Sequence, residues 1–364
     1  MTWLQQNVEL KAYNSLGFAV RARYFCQLQT YRDVQRAQHF CRHRKLPWLV
    51  LGGGSNVVLT DDFAGLVMQM QMQQIDWSST SPCPPNARLI RVEAGYSWDQ
   101  LVSESLARGL YGLENLSLIP GQVGAAPIQN IGAYGVEAKD LITRVEGYNM
   151  ATGQCFSLSV EQCRFGYRTS IFKAQPGHQR LITAVTFCLQ QRPNITITYQ
   201  GLAAAVEQLT GQAAKFASPV QIRQAVINLR RKKLPDPANI ANVGSFFKNP
   251  VVNQRQLDQL LQRWSSLVYF PVSLGYYRLA AAWLIEQLGW KGMCRDGVGV
   301  HHNQALVLVH HGGADGRALL VLAQDIQRDV KCTFGIGLEV EPCILGSQGK
   351  LELSQFVTST AHPV

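Results

Sequence analysis

A chain of 364 residues, 46% hydrophobic and 16% charged, has room for two or three domains and is too apolar for disorder. Its formal charge of +10 favours anionic partners, either nucleic acid or small molecules carrying phosphate and carboxylate, without choosing between them. The start lacks a basic region followed by an apolar core, and no later stretch reads as a membrane span, so a cytosolic protein is expected. Residues 30–44 carry a helical pattern that ends before Pro47. Trp48–Leu51 then reads as a buried strand running into Gly52-Gly53-Gly54-Ser55-Asn56, with Val57–Leu59 as the next strand. That glycine run lacks the Gly-Lys-Ser/Thr of a P-loop and has Val57 where a dinucleotide fingerprint wants its last glycine, so a hairpin turn competes with a ligand loop. Leu89–Val92 reads as a strand. Ser97-Trp98-Asp99-Gln100 reads as a capping box opening a helix with Trp98, Leu101, Val102, Ser105 and Leu106 on one face. Strands are predicted at 142–149, 154–160, 180–189 and 194–199, the last alternating Ile195, Ile197 and Tyr199.

Ser218-Pro219-Val220-Gln221 is a second capping box, with proline at the first helical position, and its helix runs to Arg230-Arg231-Lys232-Lys233; a domain boundary is placed at its start. By itself that cationic cluster reads as readily as a solvated helix end complementing the dipole as it does as a patch for anionic partners. Beyond it a helix over 278–288 closed by Gly289, a strand at Ala305–Val309, a helix from Asp315 to about Lys331 and a strand near 336–345 make an α+β domain. The tail after Gly346 is polar and expected to fray. Nine scattered cysteines without a Cys-x-x-Cys pair read as reduced thiols, and structural zinc is not expected.

The run from Leu116 to Val136 holds no charge, and its four glycines, two prolines and the amides of Gln122, Gln129 and Asn130 argue for an ordered loop. Residues without bulky side chains let backbone N–H groups approach a ligand, and the lack of charge suits a large, partly aromatic cofactor with phosphates of its own. Arg164-Phe165-Gly166-Tyr167-Arg168-Thr169-Ser170-Ile171-Phe172-Lys173 mixes cations, aromatics and hydroxyls, suited to a carboxylate beside a flat ring, though an exposed turn would read the same way. In Asn242-Val243-Gly244-Ser245-Phe246-Phe247-Lys248-Asn249-Pro250 the serine lacks the Gly-x-Ser-x-Gly frame of an acyl-transfer nucleophile. Glu339 and Glu341 alternate on a presumed strand in an apolar context, where a carboxyl could be held protonated. His301, His302, His310 and His311 form adjacent pairs, read as strand-end polar residues, with metal ligation the minority reading.

Taken together, Gly52–Asn56, Ile119–Gly135, Arg164–Arg168, Lys233-Leu-Pro-Asp-Pro237 and Gly244–Pro250 closely resemble the UDP-N-acetylenolpyruvoylglucosamine reductase family, in order from about residue 14 to 346. Ile-Thr-Tyr at 197–199 resembles the family's longer type. The resemblance implies an α+β protein: a two-lobed FAD-binding domain of the p-cresol methylhydroxylase type over 14–193, split near 76, a connection over 194–218, a substrate-binding domain over 219–346 and a tail over 347–364. It implies non-covalent FAD, with Gly52, Gly53, Gly54, Ser55, Asn56, Pro120, Gly121, Gly124, Ala125, Ala126, Ile131, Gly132 and Tyr134 around the cofactor and Arg230 at its phosphates. It further implies NADPH as reductant and UDP-N-acetylglucosamine enolpyruvate as substrate, with neither nucleic acid nor a membrane span. Arg168, Ser245 and Glu341 match the catalytic positions, and Tyr199, Lys233, Asn249 and Gln304 match those that bind the nucleotide sugar or the nicotinamide cofactor in turn. The family's usual Leu-Glu-Pro-Glu stands here as Leu338-Glu339-Val340-Glu341-Pro342, so register favours Glu341 and leaves Glu339 as the alternative. A flavin oxidase acting on an alcohol or sugar is the rival enzyme, although no histidine for a covalent tether occurs between His43 and His178. A basic nucleic-acid-binding protein centred on 230–233 is the rival of another class.

Overall fold

The computed structural model describes residues 3–78, 83–173, 179–199 and 201–355, and they form two compact units. The first comprises the chain to Gln6, Tyr24–Gly53 and Gly65–Lys232; the second comprises Asn7–Arg23, Gly54–Ala64 and the chain from Lys233. This division departs from the linear boundary expected near 218, because the helix Pro219–Lys233 falls almost wholly in the first unit.

In the first unit, five antiparallel strands stand in the order Gln154–Ser159, Ile142–Asn149, Arg180–Gln190, Ala87–Glu93 and Ile75–Asp76. Arg180–Gln190 is central and nearly continuous in its burial, the pattern of a strand covered on both faces. The helix Trp98–Ala107 buries the face predicted for it, and Trp98 meets Phe187 edge-on at 5.9 Å. Its predicted capping box does not form. The Ser97 side chain makes no cap bond, and Gln100 turns outward to Glu104 at 2.9 Å. The helix Tyr31–Arg44 does carry a reciprocal box, between Thr30 and Asp33, and Trp48–Leu51 pairs in parallel with Leu66–Gln69.

The strand predicted at 194–199 is absent. Ile195 and Ile197 instead pack on a small core shared by the helices Leu202–Thr210 and Pro219–Lys233, so their alternation is satisfied by helix surfaces and not by a partner strand. The second capping box is present, Ser218 N–H donating to Gln221 Oε1 at 2.8 Å and Gln221 N–H to Ser218 Oγ at 3.3 Å.

The second unit holds a four-stranded antiparallel sheet in the order Ala241–Ser245, Val307–His310, Val298–Val300 and Cys294–Arg295. The helix Gly316–Phe334 packs Leu319, Leu320, Ala323, Ile326 and Val330 into the same core, capped by Asp315 and closed by Gly335. The helix predicted at 278–288 begins only at Ala281, because Tyr276–Leu279 pairs as a strand between Val251–Asn253 and Tyr269–Ser273. The strand predicted over 336–345 shrinks to Cys343–Gly346, and 339–341 carries an isolated bridge, Val340 to Phe247. The tail expected to fray after Gly346 returns as Gly349–Leu351, pairing with Cys343–Gly346, and Leu353 is buried. Residues 356–364 of that predicted tail lie outside the described residues. Val57–Leu59 pairs in parallel with Cys343–Leu345, so the glycine run between it and Trp48–Leu51 is a crossing between two sheets and not a hairpin. Among the described residues no helix is long and apolar enough to cross a membrane.

Candidate functional site

The predicted site residues divide between the units. Gly52, Gly53, Pro120, Gly121, Gly124, Ala125, Ala126, Ile131, Gly132, Tyr134, Arg168, Tyr199 and Arg230 belong to the first, and Gly54, Ser55, Asn56, Lys233, Ser245, Asn249, Gln304 and Glu341 to the second.

In the first unit the helix Trp98–Ala107 anchors the uncharged loop. The Trp98 backbone N–H donates to Gly121 O at 3.1 Å and its indole N–H to Leu116 O at 2.9 Å. Asp99 Oδ1 accepts the Leu118 N–H at 2.5 Å, and Leu118 sits at a left-handed φ of +58°. Arg223 grips the same carboxylate with two N–H bonds of 2.7 and 3.0 Å. Burial pushes the Asp99 carboxyl up, but the Arg223 and Leu118 hydrogen bonds outweigh it and leave the group below its ordinary range. Farther along, Val123 and Gly124 donate to Tyr96 O and Ala94 O at 2.9 and 2.8 Å, which fixes the turn Val123–Ala125.

Gly52 and Gly53 end their strand against this loop. A Cβ on Gly53 would stand 3.1 Å from Gly121 Cα, and one on Gly52 would stand 2.9 Å from Gln122 Oε1. The two backbones meet only because side chains are missing there. Gln122 Oε1 is itself covered, with no hydrogen-bond partner among the described residues.

Past Ile131, Gly132–Ala133 pairs with Val136–Glu137 across Tyr134-Gly135, both at positive φ, so a minimal hairpin closes the segment predicted as loop. Arg168 Nη2 donates to Gly132 O at 2.9 Å, and Ser170 Oγ donates to Ile128 O at 2.6 Å, fastening the 164–170 cluster to this loop. Tyr134 meets Tyr199 edge-on at 5.0 Å, while Asn115 Nδ2 donates to Tyr134 O at 2.7 Å and Thr196 O at 2.8 Å. Burial pushes the Tyr134 phenol up to about 12. Arg230 feels both Tyr134 and Asp99. Its Nε is covered and has no hydrogen-bond partner among the described residues, and burial draws its pKa down.

In the second unit Gly54 stands at φ +60°, and Asn56 O accepts the Cys343 N–H at 3.0 Å. Ser245 follows Gly244 (φ +73°) at an irregularity where the register against Val307–His310 slips between Asn242 and Ser245. Phe246 N–H donates to Leu306 O at 2.7 Å, and Glu341 N–H donates to Phe246 O at 2.9 Å, so the Glu341 backbone lies beside the residue after Ser245. The Glu339 carboxylate is exposed and paired with Lys248 Nζ at 2.7 Å. Gln304 belongs to the turn that leads into Val307, its Oε1 accepting the Leu306 N–H at 3.3 Å, and Asn249 Oδ1 accepts the Ala281 N–H at 3.0 Å. Lys233 is exposed at its helix end. The histidine pairs hold backbone: His301 Nδ1 accepts the Asn303 N–H at 3.3 Å and His310 Nδ1 lies 2.7 Å from Leu16 O. Among the described residues no three His, Cys, Asp or Glu side chains are grouped to hold a metal ion.

Sequence reasoning missed Asp99 as the loop anchor, Arg223 as its partner, and Asn115 and Asn242. Asp99 was visible only as the interior of a presumed capping box. Arg223 is 124 residues away, so the pairing left no local signal.

Two family models match: "FAD binding domain" over residues 22–159 and "UDP-N-acetylenolpyruvoylglucosamine reductase, C-terminal domain" over 236–345. The UDP-N-acetylenolpyruvoylglucosamine reductase of Chromobacterium violaceum is 45% identical over 341 residues, 93% of this chain and 98% of that protein. The protein of the same name from Pseudomonas aeruginosa is 46% identical over 340 residues, again 93% and 98%. The crystal structure of UDP-N-acetylenolpyruvylglucosamine reductase from Thermus caldophilus matches in fold, with a TM-score of 0.66 at 24% identity, covering 94% of this chain and 99% of that one.

Proposed function

The chain belongs to the UDP-N-acetylenolpyruvoylglucosamine reductase family, and from that premise we propose how its residues divide the work. The enzyme uses NADPH and FAD to reduce the enolpyruvyl group of UDP-N-acetylglucosamine enolpyruvate to the lactyl group of UDP-N-acetylmuramate, a step of peptidoglycan precursor synthesis. Its reactants are charged nucleotides that do not cross a bilayer unaided, so we place it in the cytoplasm.

The residues of the first unit fit FAD. Gly53 and Gly121 bring two backbones together without side chains, leaving N–H groups for phosphate and ring, and Arg230 offers a covered, unpaired guanidinium N–H to an anion. Bound there, FAD supplies the two-electron relay between NADPH and the enolpyruvyl double bond. In this reading Gly52–Asn56 and the 120–134 residues enclose the cofactor, with Arg230 at the phosphates.

Addition of hydride to the terminal vinyl carbon drives negative charge onto the substrate carboxylate, so donors must face its oxygens. Arg168 supplies a guanidinium, and Glu341 is assigned the second donor. Ser245 Oγ delivers the proton to the carbon next to the carboxylate; a serine is a weak acid, and its fixed position has to compensate. Tyr199, Lys233, Asn249 and Gln304 hold the nucleotide sugar, or the nicotinamide cofactor when it occupies the same place.

The observation that favours Glu341 over Glu339 is the Glu341 N–H bond to Phe246 O, against the exposed pairing of Glu339 with Lys248. Glu341→Ala is expected to slow the substrate-driven return of the flavin absorbance about 100-fold or more, the scale of losing one donor to a developing oxyanion. Glu339→Ala should stay within about 3-fold, as for an exposed ion pair. Stopped-flow absorbance separates the two, and the reverse ranking would move the role to Glu339.

A further inference from the structure

We propose that Asn242 is a positioning residue for the proton-donating serine, an inference that rests on the reading of Ser245 given above. Asn242 is buried at 2% exposure and spends its whole side-chain amide on three backbone groups. Its Oδ1 accepts the Gly244 N–H at 2.9 Å, and its Nδ2 donates to Ile240 O at 2.8 Å and Pro235 O at 3.2 Å. Its backbone is held as well, with the N–H on Ser15 O at 3.2 Å and the carbonyl accepting Ser15 Oγ–H at 2.6 Å.

The location of these bonds gives them meaning. The register against Val307–His310 slips between Asn242 and Ser245, and Gly244 takes a φ of +73° that only glycine adopts without strain. A bulge of this kind re-aims the residue that follows it, here Ser245. Asn242 Oδ1 is the side-chain acceptor that holds the Gly244 N–H inside the bulge. The same amide reaches Pro235 O, so the Lys233–Pro237 segment and the serine turn share one clamp. No other side chain of similar size offers an acceptor and two donors in one plane; aspartate has the shape but, ionised, would set an oxygen against two carbonyls.

Asn242→Ala, checked by thermal midpoint and flavin content, is expected to leave the limiting rate of flavin bleaching at saturating NADPH within about 2-fold. It should slow the substrate-driven return by roughly 100-fold, the scale of an ångström's misplacement. In an enzyme already carrying Ser245→Ala the same substitution should add nothing. Asn242→Asp supplies a second readout that a purely structural role would not move. A protonated aspartate both accepts and donates, so its rate per folded, flavin-loaded molecule should recover as pH falls from alkaline to mildly acidic, unlike the parent. If Ser245→Ala slows the return but Asn242→Ala does not, or if the two losses multiply in the double variant, Asn242 has no positioning role. If Ser245→Ala itself leaves the return unchanged, the Ser245 reading fails first and takes this inference with it.

Discussion

Ser245→Ala is expected to keep NADPH-driven bleaching of the flavin within about 2-fold of the parent while the return of absorbance on adding UDP-N-acetylglucosamine enolpyruvate slows at least about 100-fold. The split follows from chemistry. Reduction of the cofactor by NADPH needs no proton donor at a substrate carbon, whereas completing the lactyl group does. Removing the hydroxyl takes one oxygen from a half-buried turn whose backbone is held by Asn242 and Leu306, so the fold should be little changed. Ser245→Cys should recover part of the loss, because a thiol at this position can still donate a proton. Equal losses in both half-reactions would mean that Ser245 holds structure or binds both reactants, and the proton would have to come from elsewhere.

Gly53→Ala should weaken FAD retention by about 10- to 100-fold, the equivalent of about 1–3 kcal/mol of overpacking. Its Cβ would press 3.1 Å from Gly121 Cα, a backbone atom that cannot rotate away. The neighbouring chain is further fixed by the Trp98 N–H bond to Gly121 O and the Leu118 N–H bond to Asp99. The strain must therefore appear as a widened gap between the two backbones. Gly337→Ala is the matched control, since a Cβ there meets nothing within 4 Å and should leave flavin binding unchanged. Flavin released on dilution, followed by fluorescence, measures both; unaltered retention in Gly53→Ala would mean that the cofactor does not depend on this approach.

Composition made the loops legible. A run with no charge and repeated glycine and proline has few conformational options, and Leu116–Val136 is the ordered loop its residues suggested, apart from the small hairpin around Tyr134-Gly135. The side-chain cap at Ser218 was equally readable, whereas the helices after Thr30 and Asp315 were read without the caps that the folded chain supplies. What could not be read was whatever depends on distant partners. Ser97 looks like an N-cap in sequence, yet the chain entering from Gly121 takes the Trp98 N–H and Gln100 turns to Glu104. Ile195 and Ile197 alternate as a strand would, but their partners are two helices that begin only at Leu202 and Pro219. Arg168 was picked out for its cation, and its bond to Gly132, 36 residues away, is a property of the folded chain. In sequence Glu339 and Glu341 differ by register alone, and the pairing of Glu339 with Lys248, 91 residues away, leaves no local signal.

The central claim is that NADPH oxidation by this protein is tied to the enolpyruvyl sugar nucleotide. The direct measurement is anaerobic NADPH consumption by the flavin-loaded enzyme, with and without UDP-N-acetylglucosamine enolpyruvate. The account predicts that sustained turnover appears only with that substrate, one NADPH being oxidised for each UDP-N-acetylmuramate formed. Turnover that proceeds equally without it, or that requires oxygen in its place, would contradict the account.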